Sequence, residues 1–436
     1  MQRKVLEARI YRAGYKGSFI IQNISLSIGA GEILLVTGRS GSGKSTLLKS
    51  IAGLIEIDGG FFDGVIAIKG QKISPNPLVL SKSIFYVPQE PWYGIVGYTV
   101  QTDYCHTLSV YGKHCKLELL EAYGLLSIAN RVVYGISAGE SQRLLWAEAL
   151  ETDTLVILFD EPYTYIDLEG RAVFKKYLEK ALSTGRAVVV VDHMPENWED
   201  YEPYMLVLDR GKPSYYGRFR SGVKALDIRS LRRERATSLD VLLEAENVWF
   251  SYHGHDPVLR GVDLSLRRRE IIGIVGRNGT GKTTLLKVLA GVYNARRGRV
   301  RRRGSTVYVP ENPLLYFSHP LPREEIFAAE KPSEKALRIV RAFDLEHLLD
   351  KPLAKLSSGE RRRVALASAL VRGYSIYLLD EPTGGLDRYT VESLVEAIAF
   401  IAETGSGVIV AHHDPRLTGL FDAEYKLEGG SLQCIY

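Results

Sequence analysis

The chain has 436 residues, 45% hydrophobic and 25% charged, which suits two or three globular domains, each able to bury a core. Its net charge of +5 is too mild to imply nucleic acid by itself, and no run approaches the ~20 apolar residues of a membrane span, so a membrane role would work through partner subunits. No apolar signal region follows Met1-Gln2-Arg3-Lys4, and three cysteines, Cys105, Cys115 and Cys434, argue against a disulfide framework and fit a reducing cytosol.

The first half opens with strand-like alternation over Ile20–Ile28. The apolar run Glu32–Thr37 feeds directly into Gly38-Arg39-Ser40-Gly41-Ser42-Gly43-Lys44-Ser45, and the apolar periodicity of Thr46–Leu54 reads as a helix. Strand, Gly-rich turn and helix are the context of a phosphate-binding P-loop. The glycines let backbone N–H groups converge on phosphate oxygens, and the helix adds its positive end. Gly38, Ser40, Gly41, Ser42, Gly43, Lys44, Ser45 and Thr46 are therefore the expected nucleotide-binding residues. Lys44 would neutralise the β- and γ-phosphates, and the Ser45 hydroxyl would hold Mg2+.

Further on, Tyr86-Val87-Pro88-Gln89 precedes a helix-rich stretch that contains Ser137-Ala138-Gly139-Glu140. Within it, Cys105-His106 and His114-Cys115 match no standard zinc spacing, and ordinary helix residues are expected there. The strand Leu155–Phe159 runs into Asp160-Glu161-Pro162, and the strand Ala187–Val191 leads to His193. A carboxylate at the strand end can reach a Mg2+ shell; the Glu after it can polarise the attacking water. His193 would hydrogen-bond the γ-phosphate.

The second half repeats the series. After Val258–Leu266 and the apolar run Glu270–Val275 come Gly276-Arg277-Asn278-Gly279-Thr280-Gly281-Lys282-Thr283 and the helical run Thr284–Ala290. Then follow Glu311 where the first half has Gln89, Ser357-Ser358-Gly359-Glu360, the strand Ile376–Leu379 with Asp380-Glu381-Pro382, and the strand Gly407–Ala411 before His413. Ser137 and Ser357, Asp160 and Asp380, and His193 and His413 share one offset of 220 positions, which favours His413 over its neighbour His412. The expected organisation is a first ATPase domain over 1–220, a linker over 221–239 and a second domain over 240–436. The expected fold is α/β, each domain having a parallel-sheet core, an antiparallel β region and a small helical lobe. Lys44 and Gln89 stand 45 positions apart but Lys282 and Glu311 only 29, so the second antiparallel region should be shorter. The Arg clusters Arg229–Arg235, Arg267–Arg269 and Arg296–Arg303 lack interleaved aromatics and read as solvated faces rather than nucleic-acid contacts.

Taken together, the P-loops, the Ser-x-Gly-Glu signatures, the Asp-Glu-Pro segments and the histidines resemble the ABC ATPase superfamily over nearly the whole chain. That resemblance implies that each signature closes the nucleotide held by the other half. Site one would comprise Lys44, Ser45, Gln89, Asp160, Glu161 and His193, closed by Ser357 and Gly359. Site two would comprise Lys282, Thr283, Glu311, Asp380, Glu381 and His413, closed by Ser137 and Gly139, with Gly276, Asn278, Gly279, Thr280, Gly281 and Thr284 completing its P-loop. Catalysis would rest on Glu161, His193, Glu381 and His413. The cofactors would be ATP and Mg2+, the metal held by Ser45, Gln89 and Asp160 in one site and by Thr283 and Asp380 in the other. Asp167 and Asp387 look like the acids that face across the interface, and Tyr15 and Tyr252 are the candidates to stack on adenine. Glu311 departs from the family's Gln, and Ala138 and Ser358 from its second signature Gly; Glu311 and Ala138 both fall to site two, which should be the slower.

A narrower resemblance follows the first Gln. Tyr86-Val87-Pro88-Gln89-Glu90-Pro91 and Ile95-Val96-Gly97-Tyr98-Thr99-Val100 look like the ATPase components of energy-coupling factor (ECF) importers. It implies an energy-coupling subunit at the cytoplasmic face of the cell membrane, one chain per transporter, driving uptake of a vitamin or metal ion through a membrane-embedded T component and a substrate-binding S component, without direct nucleic-acid contact. The alternative is a soluble tandem ABC ATPase acting on ribosomes or nucleic acid. The short linker and the lack of an iron–sulfur cysteine cluster count against it.

Overall fold

The structure, a computed structural model, describes residues 4–15, 20–166, 168–220, 240–253, 256–328 and 332–435. The expected linker, its basic stretch and Asp167 lie outside the described residues. The chain divides into two compact units, Met1–Val223 and Lys224–Tyr436.

Unit 1 has two sheets. The antiparallel one has the order β2-β1-β4-β5, from β1 (Lys4–Tyr15), β2 (Ile20–Gly29), β4 (Gly60–Ile68) and β5 (Gln71–Ile73). The six-stranded one has the order β10-β9-β3-β8-β7-β6. Its strands are β3 (Ile33–Thr37), β6 (Ile84–Val87), β7 (Val156–Asp160), β8 (Ala187–Val191), β9 (Tyr204–Asp209) and the antiparallel edge strand β10 (Lys212–Arg218). The central strands β7 and β8 are buried at every residue, as expected for parallel strands covered on both faces. Side-chain alternation divides the core. Leu34, Val36, Ile84, Leu158 and Val189 face one cluster with Leu47, Leu48 and Ile51 of helix α1 (Lys44–Ile51). Leu35, Val87, Phe159 and Val190 face the opposite cluster with Trp146 and Phe174.

The helical lobe is built from α2 (Val100–Val110) and α3 (Ala138–Glu151), followed across β7 by α4 (Leu168–Ser183). One expectation fails here. Cys105 on α2 is joined to Cys115 by a disulfide, with Cα atoms 4.9 Å apart. The chain reverses at Gly112, whose φ of +70° suits glycine, and Lys113 N–H donates to the Leu108 carbonyl, folding Cys115 back onto the helix. These two thiols are thus neither free helix residues nor available metal ligands.

Unit 2 repeats the plan with a three-stranded antiparallel sheet, order β12-β11-β14, from β11 (Val241–Phe250), β12 (Leu259–Arg267) and β14 (Arg297–Arg302). The shorter spacing before Glu311 removes the fourth strand. The six-stranded sheet has the order β15-β16-β17-β13-β18-β19. It comprises β13 (Ile271–Val275), β15 (Thr306–Val309), β16 (Ile376–Asp380), β17 (Gly407–Ala411), β18 (Ala423–Glu428) and β19 (Ser431–Cys434). Helix α5 (Lys282–Ala290) follows the second P-loop; α6 (Pro322–Phe327), α7 (Glu334–Ala342) and α8 (Ser358–Arg372) form the lobe, and α9 (Arg388–Glu403) follows β16.

Candidate ATP sites

Each P-loop connects a strand buried at all but its last residue to a helix and takes its shape from glycine. Gly38 and Gly43 have φ of +144° and +98°, and a Cβ on Gly38 would strike the Leu208 carbonyl. Gly281 repeats the geometry of Gly43 at +104°. Both glycines stand at helix N-caps without a side-chain cap, which leaves the first-turn N–H groups of α1 and α5 for an anion. Lys44 Nζ donates to the carbonyls of Gly38 and Arg39 at 3.0 and 2.9 Å, and Lys282 Nζ to Gly276 at 2.7 Å. Both ammonium groups therefore project over the loop where phosphates would sit.

Around each lysine the parallel strands deliver their C-terminal residues. In unit 1, Glu161 Oε1 lies 2.7 Å from His193 Nε2, and Gln89 Nε2 donates to Glu161 Oε2 at 2.7 Å. In unit 2, Glu381 lies 2.8 Å from His413 and 3.6 Å from Lys282 Nζ. Burial alone would raise these carboxyls. The histidine and lysine beside them outweigh it, holding Glu161 below its ordinary range and Glu381 down at about 2. Both therefore remain bases. Both also have left-handed backbones, with φ of +51° and +45°, pinned by N–H bonds to the Val191 and Ala411 carbonyls. Strain of this kind collects at functional positions.

Asp160 and Asp380 are the opposite case. Burial and the adjacent glutamate push each up to about 6, against the nearby Ser45 or Thr283 hydroxyl, the lysine and a tyrosine. Asp160 Oδ1 and Asp380 Oδ1 are buried without a hydrogen-bond partner among the described residues. A carboxyl crowded by a like charge, with one bare oxygen beside a hydroxyl, fits a divalent cation.

Some expected residues play other local parts. Ser137 and Ser357 are helix N-caps in capping boxes with Glu140 and Glu360, heading α3 and α8, with Gly139 and Gly359 buried in the first turn. Neither serine is a hydrogen-bond partner of the carboxylate cluster in its own unit. Tyr252 is 40% exposed and shares a hydrogen bond of 2.9 Å with Thr284 on α5, so its ring stands over the P-loop helix. Tyr15 ends β1 near Lys49 and Asp58. Asp387 caps α9 through Thr390, at 2.9 Å from its N–H. His412, passed over in favour of His413, bonds Glu424 at 3.1 Å.

Sequence reasoning missed three sets of residues. Tyr86 Oη donates to Asp160 Oδ2 at 3.2 Å, and Tyr308 Oη to Asp380 Oδ2 at 3.0 Å. The repeated Tyr-Val-Pro before Gln89 and Glu311 was the available signal. Asp103 accepts from Val96 N–H, and Glu325 from Ser318 N–H, both at 2.8 Å, clamping the chain just beyond Gln89 and Glu311. Arg362 on α8 donates to the carbonyl oxygens of Glu381 and Glu311 at 2.6 and 2.7 Å.

Two P-loop sites, each with a metal-ready Asp, an ionised Glu and a histidine, define a tandem nucleotide hydrolase. The family model described as ABC transporter matches residues 21–164 and again 259–384, and the chain belongs to that family; it is a tandem ABC ATPase. It is 28% identical to a protein of Sulfurisphaera tokodaii, over 98% of this chain and 96% of that one, and 25% identical to one of Clostridium perfringens, over 96% and 88%. Both are designated, provisionally, ABC transporter ATP-binding proteins. Among solved structures it is similar to the RNase-L inhibitor, with TM-score 0.67, 22% identity, and coverage of 98% of this chain and 91% of that chain. It is also similar to an archaeal ribosome recycling factor solved with a ribosomal stalk protein, with TM-score 0.68, 23% identity, and coverage of 98% and 90%. A third neighbour, from a model of ribosome-bound archaeal Pelota and ABCE1, has TM-score 0.72, 23% identity, and coverage of 98% and 78%.

These neighbours overturn the importer expectation. None of these three chains is an ECF importer, and two of them come from ribosome-associated assemblies. The T and S component partners, the one-chain-per-transporter stoichiometry, the seat on the cell membrane and the exclusion of nucleic acid all fall with it. Among the described residues no helix is long and apolar enough to cross a membrane. The segment that carries the short motif after Gln89 is clamped by Asp103, a contact internal to the lobe that carries no information about a membrane partner.

Proposed function

We propose that the chain is a two-site ATP-driven switch acting on the ribosome. The observation that carries this reading is the alignment, over 98% of the chain, with an archaeal ribosome recycling factor solved with a ribosomal stalk protein and with a chain from a model of ribosome-bound archaeal Pelota and ABCE1. Domains at 1–220 and 240–436 would each bind ATP on their own P-loop, with Ser45, Gln89 and Asp160, or Thr283 and Asp380, holding Mg2+. Glu161 and Glu381 would take the proton of the attacking water, and His193 and His413 would steady the γ-phosphate. The signature of one half, Ser357-Gly359 or Ser137-Gly139, would complete the site of the other. ATP binding would then favour a closed state, and hydrolysis would reopen it. A full 1:99 to 99:1 switch needs ~5.5 kcal/mol of differential binding, within reach of two shared nucleotides.

The test is gradient sedimentation of the Glu161→Gln/Glu381→Gln chain with purified ribosomes. Association should require ATP and vanish with ADP. A chain that ignores ribosomes in both nucleotide states would refute the reading.

A further inference from the structure

Gln89 and Glu311 occupy the same place in the two units, and only the second is charged. Glu311 is half-buried and stands close enough to Asp380 and Glu381 for their charges to act on its carboxyl. A third acid at a triphosphate site would repel the substrate unless something offsets it.

The offset comes from the signature helix. Arg362 lies five positions after Ser357, and Gln142 lies five after Ser137. The Arg362 side chain is buried and spans the site, with Nη1 on the Glu381 carbonyl at 2.6 Å and Nη2 on the Glu311 carbonyl at 2.7 Å. Gly384 leaves it room, since a Cβ there would meet the guanidinium. Gln142 is also buried, but neither its Nε2 nor its Oε1 has a hydrogen-bond partner among the described residues. The two units therefore differ at both positions at once: neutral with neutral in unit 1, acid with base in unit 2.

We infer that Arg362 is the dedicated counter-charge of Glu311, a positioning residue that keeps the acid-bearing site competent for ATP and ties it to the signature helix. A planar guanidinium suits the role, because its fork can hold both backbone carbonyls and so keep a positive charge beside the acid cluster. Removing one member of a buried charge pair is far more damaging than removing both. Unit 1 provides the neutral reference within the same chain. This inference concerns the ATP site alone and stands whether or not the target is the ribosome.

The test is a double-substitution cycle in the full chain, reading KM for ATP and total turnover. Arg362→Gln should raise KM or lower turnover by about 10- to 100-fold, the range of a lost charge-assisted hydrogen bond. Adding Glu311→Gln should restore both to within about threefold of the parent, because the site then carries the Gln and Gln pair of unit 1. If Arg362→Gln does not fold, the reciprocal set answers the same question. Gln89→Glu should impair the chain, and Gln142→Arg should rescue it. A double variant no better than its damaged single, in either set, would overturn the inference and leave Arg362 a structural brace. So would an Arg362→Gln chain indistinguishable from the parent.

Discussion

At the residue scale the sites work by giving neighbouring carboxyls opposite characters. Glu381 is held at about 2, whereas Asp380 is pushed to about 6 and Glu311 to about 7. These shifts set the sign of the pH response in the nucleotide-free chain. Glu381 binds fewer protons folded than unfolded, so its stabilisation is present above its ordinary value of 4.5 and is lost as pH falls toward about 2. Glu311 binds more protons folded, so its contribution falls as pH rises from 4.5 to about 7 and is flat beyond. Glu311→Gln should therefore gain stability relative to the parent between pH 5 and 7, read as a urea midpoint at each pH; parallel curves would contradict the burial of that carboxyl. Tyr86 and Tyr308 lead to a second prediction. Burial raises both phenols, so they stay protonated and remain donors to Asp160 and Asp380. Each phenol pins one carboxylate oxygen and leaves the other for a metal. Tyr86→Phe with Tyr308→Phe should weaken Mn2+ binding to the nucleotide-loaded chain by about 10-fold or more, as loss of a bond to a metal ligand does. Electron paramagnetic resonance titration would measure it, and an unchanged Mn2+ isotherm would rule the role out.

At the element scale, the parts that carry function were the ones legible in the sequence. Buried parallel strands ending on Asp160, Asp380, His193 and His413 announced themselves as short apolar runs, because such strands have no polar face to break the pattern. The P-loops were readable because glycine and lysine at fixed spacing have one use there. The Arg362 fork, the Tyr86 and Tyr308 donors and the strained backbones of Glu161 and Glu381 were not, because each depends on elements remote in sequence meeting at one point. The Cys105–Cys115 bridge was missed for a related reason: composition argues about compartments, while the turn at Gly112 decides geometry. The arginines of β14 fall between these cases. Arg299 and Arg301 pair across the sheet with Glu246 and Glu244 on an exposed edge strand, where charge deters strand addition but adds little stability. By contrast, the bridge closes a loop of 10 positions and should stabilise the first lobe by about 3 kcal/mol. Cys105→Ser should lower the unfolding free energy of oxidised protein by about that amount and have no effect under reducing conditions. A loss of equal size in both conditions would mean that packing, not the bridge, is responsible.

At the scale of the whole molecule, the duplication with its 220-position offset pointed to two catalytic centres in one chain. What the centres act on was not legible, because the residues that bind ATP are indifferent to the load they drive. For that reason the importer reading could rest on a short motif and still fail. The division of labour between the halves is testable through the signatures. In its own unit Ser357 caps α8 and takes no part in the carboxylate cluster around Lys282. If it serves the nucleotide on Lys44, Ser357→Arg should leave ATP binding in unit 1 intact but stop its hydrolysis there. Photo-crosslinked ATP would then accumulate on the first unit, and Ser137→Arg would accumulate it on the second. Should each substitution instead trap nucleotide in its own unit, the sites would be private to each half. ATP could then not draw the halves together, since neither nucleotide would contact both, and the switch would need a different source of force.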